Sequence, residues 1–287
     1  MTTSRPPLGP DAIVECVDAV RRQNPLVHAM TNSVVREISA NVLLSIGAAP
    51  AMVDSPEEAG LFAAGADGVL VNVGNPSAEN FLAYRAALDV AHAAGIPWVL
   101  DPVAVGGLPP RTEFAREVLA LRPDAIRGNA SEVTALAGRS AGGRGVDSTD
   151  PVEAALGAAA ELAGRTGGVV AVSGERDVVI SEEGTTWLTS GHALMPLVIG
   201  TGCSLGAAVA AYLGAARAHG LSRHAAVLAA HAHLGAAGVL AGRVARGPGS
   251  FHAEWLDAIH ALDGAGVAEL VTLEHEAGLP SAAEGAR

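Results

Sequence analysis

Short runs of β-branched and aliphatic residues alternate along the chain with longer stretches whose apolar positions recur every three or four residues. Strands are predicted at Leu26 to Met30, Ala51 to Val53, Gly68 to Val73, Trp98 to Leu100, Asp124 to Ile126, Val169 to Val172, Val178 to Ile180 and Thr185 to Leu188. Between them, Phe81, Tyr84, Leu88 and Ala91, or Phe114, Val118 and Leu121, keep the spacing of one helix face. Pro56 with Glu57 and Glu58 marks a helix start, as does Asp150 as a cap ahead of Pro151 and Glu153. Strands alternating with helices imply βαβ units, hence a mostly parallel sheet covered on both faces. From about Cys203 onward the pattern reads as almost wholly helical, a layer that closes the sheet. No repeat or linker divides the 287 residues, so one α/β domain is expected, with 1–10 and 278–287 as tails.

Charge narrows the chemistry. The formal charge is −12 and all 18 basic residues are Arg, so a Walker-type phosphate loop, a Schiff base or a pyridoxal-phosphate site, each of which needs a Lys amine, is excluded. An acidic chain without a clustered basic face argues against nucleic acid or an anionic membrane as a partner. Cys16 and Cys203 allow at most one disulfide, and the N-terminal segment lacks the apolar core of a secretory signal, so a reducing cytoplasm is expected. Trp187 to Ala216 and His224 to Gly242 carry no formal charge apart from histidines. They are built from Ala and Gly rather than from the larger residues that favour insertion, and are expected to be buried helices.

In such folds ligands bind where strands end and helices begin. The run Gly200-Thr201-Gly202-Cys203-Ser204-Leu205-Gly206 opens a long Ala-rich helix. Bare backbone N–H groups and a helix N-terminus make it an anion hole, although a structural glycine turn has the same composition. A dinucleotide fingerprint is disfavoured: Met195-Pro196 interrupts the preceding strand, and no Asp or Glu occurs from Gly184 to Ala253. Cys203 sits where amide donors would stabilise a thiolate, and where a small buried residue is equally at home.

Arg127-Gly128-Asn129-Ala130-Ser131-Glu132 delivers a cation, an amide and a hard oxygen ligand into one loop, while Asn129 and Glu132 also have the spacing of a capping box. Asp101 ends a neighbouring strand and with Glu132 makes a reasonable pair for Mg²⁺. Val172-Ser173-Gly174 places a hydroxyl at the same edge. His28 reads as a structural histidine, and His231 and His233 lack the spacing of a zinc pair. Together these loops describe phosphoryl transfer by positioning and charge compensation.

The same segments resemble the hydroxyethylthiazole kinases, of ribokinase-like fold. The likeness rests on His28 to Asn32 with Ala40-Asn41, GAAPAM at Gly47 to Met52, LVNVG at Leu70 to Gly74, DPVAVG at Asp101 to Gly106 and RGNASEVTAL at Arg127 to Leu136. It continues through GVDS at Gly145 to Ser148, VSG at Val172 to Gly174, Gly191-His192 onward to the GTGC turn, and GPGSF at Gly247 to Phe251. It implies a three-layer α/β/α sandwich, with ATP and Mg²⁺ used to phosphorylate the primary alcohol of 4-methyl-5-(2-hydroxyethyl)thiazole in thiamine salvage. By position, Met52, Gly200 and Asn32 would serve the acceptor. Arg127, Ser173, Asn129 and Gly202 would serve ATP, and Asp101 and Glu132 the metal. Cys203 would stand where ribokinase-like enzymes carry an Asp base. The family's trimers place sites between subunits. Departures are Ile199 for a Thr, Glu37 for an Asn and Asn75-Pro76 for a Thr-Leu. They leave open a kinase for another heterocyclic alcohol or a non-catalytic nucleotide binder.

Overall fold

A computed structural model describes residues 8–139 and 150–279. The chain runs α1 (Pro10–Gln23), β1 (Leu26–Met30), α2 (Arg36–Ile46), β2 (Ala49–Ala51), α3 (Pro56–Ala63), β3 (Gly68–Asn72), α4 (Ala78–Ala94), β4 (Trp98–Asp101), α5 (Pro109–Val118), β5 (Ala125–Asn129) and α6 (Ala130–Leu136). It continues through α7 (Leu156–Thr166), β6 (Val169–Ser173), β7 (Asp177–Ser181), β8 (Gly184–Thr189), α8 (Thr201–His219), α9 (Arg223–Val244), α10 (Pro248–Ala261), α11 (Gly264–Glu269) and β9 (Thr272–Glu276). The G-V-D-S segment and most of both expected tails lie outside the described residues; α1 already begins at Pro10.

The strands form one nine-stranded sheet in the order β2-β1-β3-β4-β5-β6-β7-β8-β9. Pairing is parallel from β2 through β6 and antiparallel from β6 to β9. Helices cover both faces, as a three-layer sandwich requires. Along β3, Leu70 packs with α1, α2 and α8 to α11, while Val69 and Val71 point to the layer of α3 to α7. The alternation is hidden in sequence because both faces are apolar.

Four expectations shift: the segment Trp187 to Ala216, expected as a buried helix, is the end of β8, a largely exposed connection and the first part of α8. The strand expected at Ala51 to Val53 is Ala49–Ala51. Pro151 caps a short 3₁₀ turn, Val152–Ala155, ahead of α7 rather than opening the helix itself. The chain after Cys203 is not all helical: β9 returns to extend the sheet beside β8, with largely exposed side chains and no apolar run to announce it. Cys16 and Cys203 are free thiols. Helix α9 is long and apolar enough to cross a membrane, but 83% of its most apolar window is buried among neighbouring elements.

Helix α8 lies almost backbone to backbone on the sheet. A Cβ on Gly68 of β3 would collide with the carbonyl of Ala210, and one on Gly214 would come 2.9 Å from the carbonyl of Asp67. Side chains of ordinary size would lift the helix off the strands. Gly68→Ala is expected to cost at least about 2 kcal/mol. Gly164→Ala, on the exposed side of α7 with nothing near its missing Cβ, should add up to about 1 kcal/mol. Urea unfolding of the two variants reads both; equal effects would contradict the close packing of α8.

Candidate active site

The polar ends of five adjacent elements meet at one edge of the sheet. Asn72 and Asp101 are register partners at the ends of β3 and β4, and both are fully buried. Asn72 Nδ2 donates to Asp101 Oδ2 at 2.7 Å, while its Oδ1 accepts from Asn32 Nδ2 at 3.1 Å and from the backbone of Gly74 at 2.9 Å. Asn32 follows β1, caps the turn that leads into α2 by accepting from Val34, and also reaches Cys203 Sγ at 3.6 Å. Asn72 is therefore the hub of the network. The sequence reading did not assign it a role, although a polar residue closing an otherwise apolar buried strand was the available signal.

Arg127 of β5 brings the cation. Its Nε and Nη2 donate to Ser173 Oγ at 3.2 and 2.9 Å, and its Nη1 stands 3.9 Å from Asp101 Oδ1. The guanidinium lies against the first turn of α8, where a Cβ on Gly202 would be 3.2 Å from Nη1. A Cβ on Gly206, one turn on, would come 3.1 Å from Asp101 Oδ2. Gly200 adopts φ +87°, and a Cβ there would collide with Ile38 at the start of α2. The glycines thus let α8 bring its unpaired N–H groups to the carboxylate and the guanidinium together.

Asn129 and Glu132 form the capping box whose spacing the sequence shows. Asn129 Oδ1 accepts from the N–H of Glu132 at 2.9 Å, and Glu132 Oε2 accepts from the N–H of Asn129 at 2.9 Å. Glu132 Oε1 accepts from Ala104 at 3.0 Å. Met52, just after β2, stands apart from this network, half-buried against the core on the α8 side. A cleft of about 560 Å³ lined by Arg36, Asp54, Glu57, Ser77 and Asn80 opens nearby and contains none of the network residues. His28 is buried with Nε2 2.7 Å from Val53 O, while its Nδ1 has no hydrogen-bond partner among the described residues.

Burial governs the electrostatics. Asp101 is pushed up from 3.8 to about 7 by loss of water, with Glu132 adding to the rise and Arg127 and Asn72 opposing it. Burial also raises Glu132. Cys203 is pushed up to about 11, by burial first and by the Asp101 carboxylate second. Of the two readings the sequence left open for Cys203, the thiolate is the one the structure disfavours: the side chain is a neutral thiol near pH 7. The helix N-terminus does not overcome desolvation and a neighbouring negative charge.

A sequence model described as the Hydroxyethylthiazole kinase family matches residues 17–264. The chain belongs to this family. It is 57% identical over 261 residues to a hydroxyethylthiazole kinase of Corynebacterium glutamicum (strain R), covering 91% of this chain and 97% of the relative. Identity to the hydroxyethylthiazole kinase of Klebsiella pneumoniae subsp. pneumoniae is 51%, covering 88% of this chain and 96% of that one. Among solved structures, the hydroxyethylthiazole kinase protein of Pyrococcus horikoshii OT3 superposes with a TM-score of 0.83 at 30% identity, covering 93% and 99% of the two chains. An ADP complex of Bacillus subtilis pyridoxal kinase, at 19% identity, covers 74% of this chain and 90% of its own with a TM-score of 0.56, and shares the ribokinase-like fold.

The Asp101 shift has a consequence for stability. Between pH 4 and 7 the folded protein holds a proton on Asp101 that the unfolded chain has released. Stability from this group is therefore full below about pH 4 and is lost as the pH rises through 7. Asp101→Asn removes that loss. The variant should melt on the order of 5 °C above the parent at pH 8, with the gap narrowing at pH 5 and closing below about pH 4; a gap of the same size at pH 8 and pH 4 would contradict the shift.

Proposed function

We propose that the chain is an ATP-dependent kinase that phosphorylates the hydroxyethyl group of 4-methyl-5-(2-hydroxyethyl)thiazole, a cytoplasmic step of thiamine salvage. The observation that carries this reading is the convergence of the α8 N-terminus, Arg127 and Asp101, together with membership of the family. Phosphoryl transfer is driven by positioning and charge compensation, which these groups supply without a lysine.

The acceptor lies between Met52, Gly200 and Asn32, with Cys203 at its reacting hydroxyl. ATP is held by Arg127, oriented by Ser173, and by the loop at Asn129 with the Gly202 backbone. The alcohol oxygen attacks the γ-phosphorus as the bond to ADP breaks, and the first-turn N–H groups of α8 take the charge on the transferred oxygens. Cys203, being a neutral thiol, does not remove the alcohol proton beforehand. In a loose transition state the proton leaves late, to a phosphate oxygen or water.

Magnesium fits the residues present. Asp101 Oδ1 is buried without a hydrogen-bond partner, and each oxygen of Glu132 already accepts one backbone N–H. Such a hard-oxygen pair suits an ion that keeps part of its water shell, and Asp101 and Glu132 would hold it. When bound, it offsets charge on the phosphates. A homotrimer with sites between subunits would cover Val34, Leu44 and Leu61, which are 59, 59 and 80% exposed. Ile199, 67% exposed where the family carries Thr, favours a second reading in which the acceptor is another heterocyclic alcohol.

ADP release with ATP, Mg²⁺ and the hydroxyethylthiazole tests the assignment. Turnover is expected; turnover only with another alcohol selects the second reading, and nucleotide binding without turnover sinks both. Arg127→Ala should lower kcat/KM for ATP by about a hundredfold or more, since no lysine stands by to replace it. Cys203→Ala should retain measurable turnover and Cys203→Asp should keep or raise it; loss of activity in both would mean that the thiol is indispensable.

A further inference from the structure

The β4–β5 ladder is short. Its register pairs are Val99 with Ala125 and Leu100 with Ile126, and it stops before Asp101 and Arg127, whereas β3–β4 pairing continues to Asp101 and β5–β6 pairing to Asn129. The two strands therefore stop pairing with each other just before their charged residues, which stay in the sheet through β3 and β6. Glu132 fills the breach. One carboxylate oxygen takes the N–H of Ala104, in the loop after β4, and the other takes the N–H of Asn129, at the end of β5. The side chain is buried, and a Cβ on Gly128 would come 3.2 Å from its Oε2.

The loop so held is strained. Val105 N–H bonds to Pro102 O, closing a turn in which Ala104 has φ +57°, a left-handed conformation that ordinarily calls for Gly or Asn. Arg111 Nη1 donates to Val103 O at 3.2 Å and Thr112 Oγ1 accepts from Gly106 at 2.8 Å, so the turn is also gripped from α5. The bond from Ala104 to Glu132 ties it to β5. Strained backbone persists where surrounding contacts over-determine it.

We propose that Glu132 is a positioning residue that replaces the missing ladder: it clamps the left-handed turn after β4 to the end of β5 and so sets the spacing of Asp101 and Arg127. This inference rests on the kinase reading only for its effect on turnover. The clamp is made by protein groups alone, and its decisive tests need no catalysis.

In metal-free protein, the Ala104 and Asn129 amides of the parent should be protected from hydrogen exchange. Glu132→Gln offers an NH₂ group to one of the two N–H donors and should lower the metal-free melting temperature by about 5 °C. Ala104→Gly, which relieves the left-handed strain, should change stability by a different amount in the Glu132→Gln protein than in the parent, and that difference is the coupling read by the double-mutant cycle. In the kinase assay, Glu132→Gln should lower kcat about tenfold or more with the acceptor KM changed less than about twofold, and Ala104→Gly should recover part of kcat. A Glu132→Gln protein with unchanged metal-free stability and only a raised magnesium requirement would make Glu132 purely a metal ligand and overturn the proposal. So would an unprotected Ala104 amide, a measurement on the parent that does not depend on the variant folding. If the kinase reading itself fails, no turnover is seen, while protection, melting and coupling still decide the clamp.

Discussion

The closeness of α8 to the sheet is the constraint on which the rest of the molecule depends. A helix packed through ordinary side chains keeps its axis well away from a neighbour's backbone. Here Gly68, Gly206 and Gly214 remove the intervening atoms, and α8 settles against β3 and β4. The first turn of the helix is thereby delivered to the strand ends. Its N–H groups, Asp101 and Arg127 share one small volume only because no Cβ separates them. The composition rich in Ala and Gly, which compositional bias alone would explain, is at these positions a geometric requirement.

That closeness has an electrostatic cost. Asp101 has no exposed surface, and burial raises its affinity for a proton until it titrates near neutrality. Arg127 compensates in part from 3.9 Å, and Asn72 donates to one oxygen while the other, facing Arg127, accepts no hydrogen bond. A site held in this state is poised to accept positive charge, and the same desolvation keeps Cys203 protonated. Stability at the site is given up for charge placement, as is common where function needs buried ionisable groups.

Much of this was legible in the chain itself. The alternation of strands and helices indicated a mostly parallel sheet, and the Asp, Arg, Asn and Ser residues that close strands marked the edge where chemistry gathers. Asn129 and Glu132 showed their capping box by spacing alone. Asn72 escaped notice because a single polar residue after Val69, Leu70 and Val71 says nothing about the Asn32 and Asp101 it will meet from other strands. The strand β9 escaped because its pairing with β8 is made by backbone groups, which leave no apolar signature on an exposed edge.

The sequence by itself determined the fold class, the family, the absence of any lysine-based chemistry and the set of groups available to a phosphate. Those properties follow from residue type and local spacing. Only the tertiary structure decided the charge states of Asp101 and Cys203, the hydrogen bond by which the distant Ala104 amide takes the second Glu132 oxygen, and the end of β4–β5 pairing beyond Leu100 and Ile126. Desolvation and hydrogen-bond satisfaction are set by atoms that arrive from remote parts of the chain, and no one-dimensional pattern records them.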